Sequence, residues 1–322
     1  MKLQILFIGL TFSLMANANP LGMIFSRSDS RVRLELEHRA DGQMLDDKKE
    51  TIDQPYQNSS GKINVNFYRT ENTTWFFSGT ADYVEMGRSP LFVGLNNAEI
   101  VGDPQEYSLG LGFRKQYDDQ RVLLAALDYG SASDRPFKDS RNTAIGFNVA
   151  YAFQPSQNSQ WLLFVSYSNN RVFLNNVPLP SFAYIYKFSG KFSVTLGIPF
   201  VFTNYFNFPK STFNMFLTPG SVGYDWGVGI VGPMQFYNSF AYKVKSFMHH
   251  NRLRDEDRLF IEDKTIEVGL RSPVAKYLSL SLSSGLSFDR YFYEGEGVFD
   301  EIGQKQKLAK DIYFKTKMTW RF

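Results

Sequence analysis

Residues 310–322 read KDIYFKTKMTWRF, and the spacing in that stretch decides the fold. Ile312, Phe314, Met318, Trp320 and Phe322 share one face of an extended chain, with Thr316 among them. Asp311, Tyr313, Lys315, Lys317, Thr319 and Arg321 share the other. A period of two is the signature of a strand, whose successive side chains swap faces. Here one face is apolar and aromatic while the other carries charge. Such a strand separates hydrocarbon from a wet or ion-paired interior, as the wall of a membrane barrel does.

Working back from the end, the same period recurs. Leu278, Leu280, Leu282, Leu286 and Phe288 oppose Ser279, Ser281, Ser283, Gly285, Ser287 and Asp289, with Ser284 the one polar interruption of the apolar row. Ile145, Phe147, Val149, Tyr151 and Phe153 oppose Ala144, Gly146, Asn148, Ala150 and Ala152. Read this way, the strands are 31–38, 61–69, 74–84, 106–116, 121–129, 143–153, 160–168, 181–188, 191–199, 222–230, 235–246, 263–272, 276–291 and 310–322. Links after even-numbered strands are short, as at 117–120 and 273–275; those after odd-numbered ones are generally longer, as at 39–60, 85–105, 200–221, 247–262 and 292–309. A soluble sandwich has no reason to sort its connections by length, whereas a membrane barrel sets short periplasmic turns against longer outer loops. The expectation is an all-β, transmembrane antiparallel β-barrel of about 14 strands, with 12 possible, and both termini at the periplasmic rim.

The composition agrees. The chain is 16% aromatic, yet its mean hydropathy is −0.28. A helical membrane protein of this size would show several apolar runs of about 20 residues; only 3–16 approaches one. The 35 basic and 32 acidic residues nearly cancel, so there is no electrostatic case for nucleic acid. Absence of cysteine excludes disulfides, thiolate zinc sites and lipid attachment through an N-terminal cysteine. Lys2, the apolar run Leu3–Met15 and Ala16-Asn17-Ala18 fit a secretory signal cleaved after Ala18. That leaves 19–322 as a single barrel domain.

Arg33, Glu35 and Glu37 oppose Val32, Leu34 and Leu36 on the first strand, and Lys315, Lys317 and Arg321 point the same way on the last. Closure sets those strands side by side, so these residues are expected to line the lumen. Phe202, Tyr205, Phe206, Phe208, Phe213 and Phe216 make 200–221 too aromatic for an outer loop in open water. As a loop it would fold inward as a constriction; the competing reading is an extra strand facing lipid. The inward faces are rich in Ser, Gly, Asn and paired charge, and so wide a ring is not filled by side chains alone. Together these point to a narrow channel for passive passage of small solutes. The alternative is a non-conducting structural or adhesive barrel, or a surface enzyme acting on lipid or peptide. No catalytic residue, metal ligand or cofactor is selected. Only His38, His249 and His250 offer an imidazole, no G-x-S-x-G context appears, and the mixed charges of 46–50 lack the spacing of a calcium loop.

The chain's end resembles the terminal strand of outer-membrane barrels, whose final aromatic marks them for the barrel-insertion machinery. The resemblance implies that Phe314, Met318, Trp320 and Phe322 form an assembly signal. It also implies the assembly machinery and periplasmic chaperones as partners during biogenesis, surrounding lipid and lipopolysaccharide, and residence in the outer membrane of a Gram-negative bacterium. Residues 169–200 resemble the central motif of an uncharacterised bacterial family of outer-membrane barrels: Asn175-Asn176, then Leu179-Pro180, then Tyr184 and Tyr186, then Gly197-Ile198-Pro199-Phe200. That resemblance implies the barrel and its location but no activity. It leads one to expect Leu179-Pro180 to end a rim loop and Pro199 to end or bulge the ninth strand.

Overall fold

A sheet bathed in hydrocarbon has no water for its edge groups, so every backbone N–H and C=O must pair within it, and the sheet must close. A computed structural model describes residues 30–44, 51–52, 56–86, 91–118, 120–198, 201–218, 220–231 and 233–322, and it shows such a closed ring. The signal segment read at 1–18 lies outside them. The wall consists of β1 (Val32–Met44), β2 (Gln57–Arg69), β3 (Thr73–Glu85), β4 (Gln105–Gln116), β5 (Arg121–Ser133), β6 (Ala144–Ser156), β7 (Ser159–Ser168) and β8 (Leu179–Ser189). It continues with β9 (Phe192–Ile198), β10 (Val201–Phe208), β11 (Ser211–Thr218), β12 (Ser221–Val231), β13 (Met234–Phe247), β14 (Arg258–Ala275), β15 (Leu278–Gly295) and β16 (Asp311–Arg321). Each pairs antiparallel with its neighbours in sequence, and β16 returns to β1 with Leu34 opposite Trp320 and Glu37 opposite Lys317.

The ring thus has 16 strands, not the expected 14. The difference lies wholly in 200–221, which is not an inward-folded loop: β10 and β11 form a wall hairpin there, in register from Phe202–Leu217 to Phe208–Ser211. Phe202, Phe206, Phe208 and Phe213 belong to the outward row of this hairpin, and Tyr205 and Phe216 to the inward row. Leu179 opens β8, and β9 ends at Ile198, with Pro199 outside the described residues.

The outward rows are apolar and exposed, with Leu109, Leu127, Ile198, Leu282 and Phe314 each more than half accessible. This is the reverse of a soluble core and suits a hydrocarbon surround. On β7–β13 the outward row is also aromatic. Rings run in contact from Trp161 through Tyr184, Tyr186, Phe188, Phe192, Phe206 and Phe213 to Tyr224 and Phe240. Aromatic rings of this kind anchor a barrel at the lipid–water boundary.

The wall is uneven in height. Strands β9, β10 and β11 have 7, 8 and 8 residues, whereas β13, β14 and β15 have 14, 18 and 18. The surplus does not stand free of the rest of the ring. The Met248 N–H donates to the carbonyl of Ala132 at 2.7 Å, joining the tip of β13 to the tip of β5, half the ring away. The upper ends of β13–β15 therefore lean across the lumen.

Candidate functional site

The interior is built from the inward rows, and its two sides differ. From β5 through β12 the inward residues are mostly small or hydroxylated, among them Ala126, Ala150, Ala183, Thr195, Thr203, Thr218, Ser221 and Gly223. Low on this side Leu124, Ala150, Ala152, Leu162 and Ala183 pack together beside Phe76 and Phe164. From β13 round to β4 the inward rows carry charge.

Two inward pairs dominate the charged side: Lys243 and Lys245 on β13, and Asp263 and Glu267, four residues apart, on β14. Glu267 accepts from the Tyr237 hydroxyl at 2.5 Å and from the Tyr313 hydroxyl at 3.0 Å, and it pairs with Lys315. Asp263 accepts from Arg39 at 2.7 Å, and Lys245 reaches Asp82 on β3 at 2.7 Å. A bulge recruits one more cation. Asp289 and Arg290 together oppose Asp263, Asp289 adopts φ 45°, and the register shifts. The shift turns Arg290 inward, as bulges commonly re-aim a side chain. There Arg290 lies over the Tyr56 ring, 3.9 Å from Asp263 and 3.7 Å from Asp311. Buried charge is tolerated only when paired, and this wall pairs its charges densely. A cavity of about 130 Å³ remains among Glu37, Arg39, Lys243, Asp263, Glu267 and Lys315.

Above this layer the outer end of the lumen is filled. Val84, Ala132, Phe247, Leu259, Ile261 and Phe292, inward from five strands, form one apolar cluster with Val93 and Ile100 of the hairpin Leu91–Val93/Ala98–Ile100. Polar bonds lock the loops over it. The His249 Nε2 lies 2.5 Å from Glu294, the His250 N–H donates to Asp134 at 2.8 Å, and Arg252 donates to Asn142 at 3.2 Å. Gly94 sits at φ +76° with Glu294 against it, so a side chain there would meet both strain and a clash. The other face of the leaning wall is covered as well. Val244, Phe260 and Tyr293 pack against Val172 and Val298, Asn170 donates to the Ser246 carbonyl at 3.2 Å, and the Val298 N–H to the Val172 carbonyl at 2.8 Å. At the rim, Arg141 donates to Asp255 at 2.5 Å, and that bond holds the Asp255 carboxyl below the usual range. The leaning wall and its loops form a lid.

Of the residues read from the sequence, Arg33, Glu35, Glu37, Lys315, Lys317 and Arg321 all lie on the inward rows beside the seam. Lys317 lies 3.3 Å from Glu35 and 3.8 Å from Glu37; Arg33 turns to Glu35 on its own strand, and Lys315 reaches Glu267, away from the seam. Phe314, Met318 and Trp320 lie on the outward row. Arg39, Lys243, Lys245, Asp263, Glu267 and Arg290 were not singled out, although the i, i+2 spacing of Glu37 with Arg39 and of Lys243 with Lys245 is a usable signal. His249 and His250, read as ordinary loop residues, are partners in the lid. No group of three or more potential metal ligands occurs among the described residues.

No family model and no curated protein match the sequence. Solved structures similar in outline include OccAB4 of Acinetobacter baumannii, 7% identical over 92% of this chain and 99% of that one, with a TM-score of 0.43. A FadL homologue of Pseudomonas aeruginosa is 12% identical over 94% and 93%, at 0.42. The Pseudomonas putida toluene transporter TodX is 8% identical over 95% and 92%, at 0.37. At such scores the likeness carries no argument of its own, and the reading rests on the chain's geometry.

Proposed function

We propose that the protein is an outer-membrane barrel that passes small polar solutes through a narrow lumen closed from outside by its own lid. The observation that carries this reading is the mid-height interior. Paired charge faces small hydroxylated and glycine positions there, in a ring too wide for side chains to fill. Both signs line the cavity around Glu37, Lys243 and Glu267, so the solute class is polar without a preferred charge. The lid is held by hydrogen bonds and apolar contacts between strand tips and loops, which open at modest cost compared with the paired body of the wall. On this reading the chain resides in the outer membrane of a Gram-negative bacterium. Its last strand, through Phe314, Met318, Trp320 and Phe322, is the handle for the assembly machinery, with chaperones before insertion and lipid and lipopolysaccharide afterwards.

The apolar cluster around Phe247 and Phe292 favours a second reading, a permanently closed structural barrel. Planar-bilayer recording separates the two. The wild type should give rare, small openings, and a variant with 246–259 replaced by a short Gly-Ser turn should conduct steadily. A properly folded variant, judged by its altered gel mobility on boiling, that never conducts would sink the channel.

A further inference from the structure

The neutral side of the lumen carries one mid-height charge of its own. Asp128, midway along β5, points inward between Ala126 and Gly130 on its strand, with Gly110 of β4 and Gly146 of β6 as register partners. None of these four flanking residues has a side chain larger than a methyl group. Among the described residues, the other inward charge on β5–β11 is Lys187, at the end of β8 away from the lid. Asp128 lies just beneath the lid, because Ala132, four residues further along β5, accepts the bond from Met248.

Among the described residues, the Asp128 carboxyl makes no hydrogen bond or ion pair, its Oδ2 is buried, and no charged group acts on it. On the opposite wall Asp263 and Glu267 are each paired with a cation. A carboxylate buried without a partner is costly, and an ionisable group on the inner face of a membrane wall marks the path of what passes it. Its surroundings select the partner. The Oδ1 leans over Gly110 together with the Ser78 Oγ, both inside the space that a Cβ on Gly110 would take, and the Oδ2 lies 3.7 Å from the Cβ position of Gly146. Carboxylate and hydroxyl thus converge on one point of the wall without bonding each other. The charge calls for a cation. One carboxylate and one hydroxyl are too few to replace the shell of about six to eight oxygens that a metal ion such as calcium takes. An ammonium is suited to them, since its N–H groups donate to both acceptors and the remainder to water.

We infer that Asp128, with Ser78, seats the primary ammonium group of a solute in the lumen. The paired charges of the tall side set no preference of sign, and this lone carboxylate adds one from the wall across from them. The inference rests on the lumen being a passage for polar solutes and narrows their class to those bearing a free amine.

The test uses the purified full chain in an uncharged detergent, with propylammonium as the probe and saturation-transfer NMR as the readout. Ionic strength is held with tetramethylammonium chloride, which has no N–H to donate. Transfer to propylammonium should exceed transfer to propionate several-fold, fall to the propionate level in Asp128→Asn, and weaken in Ser78→Ala. Gly110→Ala is a second variant that keeps the charge but drives the carboxyl and hydroxyl out of place, and it should lose the transfer as well. Each variant is first checked for altered gel mobility on boiling, so that only folded barrels are compared. Unchanged transfer in folded Asp128→Asn, or equal transfer to propionate, would overturn the proposal. Displacement of the probe by sodium at equal concentration would also overturn it, since the seat would then belong to a metal ion. Binding by a barrel that never conducts supports the seat and defeats the channel, whereas conduction by the variant with 246–259 shortened, without ammonium binding, defeats the seat alone.

Discussion

On the proposed membrane reading, the low side of the barrel, β9–β11, and its tall side, β13–β15, face lipid differently. A strand crossing a bilayer at the usual tilt needs about 9–11 residues, and β9–β11 fall short of that with 7 and 8. They compensate outside, with a ladder of aromatic rings that includes Phe192 and Phe206 stacked at 4.3 Å. Inside they bear Thr195, Thr203 and Thr218, which ask little of their surroundings. The tall strands have length to spare and spend it inward, where Glu267 and Arg290 are buried and Lys245 reaches across to Asp82. Height and charge travel together. A wall that leans over the lumen buries its own inner row and must pair every ion on it, while a short wall leaves room at the centre and needs only neutral hydrogen-bonding groups.

Removing Trp320–Phe322 should strike the tall side hardest. Trp320 is the register partner of both Leu34 and Leu278, so its loss unties the seam from two directions. Heat-modifiable barrel should nearly vanish from the membrane fraction while the exported chain is still made; normal amounts would contradict the role given to this strand. Next in size, Glu267→Leu should destabilise the barrel by about 3–5 kcal/mol, because it leaves Lys315 and two tyrosine hydroxyls without their partner. Thr195→Val on the low side should cost no more than about 1 kcal/mol. Denaturant titration in micelles measures both, and equal losses would mean that the contrast between the sides is not energetic. Of similar size is Phe206→Ala, which removes the stack on Phe192 and should cost about 1 kcal/mol. Leu282→Ala, facing lipid on the tall side without a ring neighbour, should cost less.

The same contrast explains what could be read in advance. The row Leu278, Leu280, Leu282 against Ser279, Ser281, Ser283 declares a strand because its faces differ so sharply, and most of the wall is of that kind. On β10 and β11 the rows are blurred. Asn204 sits among the outward residues, Tyr205 and Phe216 sit among the inward ones, and Pro209 and Pro219 nearby imitate a loop. Short strands offer few alternations to average over, so this hairpin passed for a loop. The charges beside the seam were legible because closure makes first and last strands neighbours. Lys245 with Asp82 was not, since that contact follows from how far one wall leans, and no local period encodes a lean. The lid was hidden for the same reason: His249 and Glu294, or Asn170 and Ser246, meet only in three dimensions.

The bond from Met248 to Ala132 also orders events in time. It ties together two strand tips half a circumference apart and widely separated along the chain. Contacts of that kind form late, because the entropy of closing so long a segment must be met by nearer pairings first. The wall strands between β5 and β13 therefore pair first, and the leaning tip of β13 reaches Ala132 only once they stand in place. Until that contact is made, the outer end of the lumen stands uncovered.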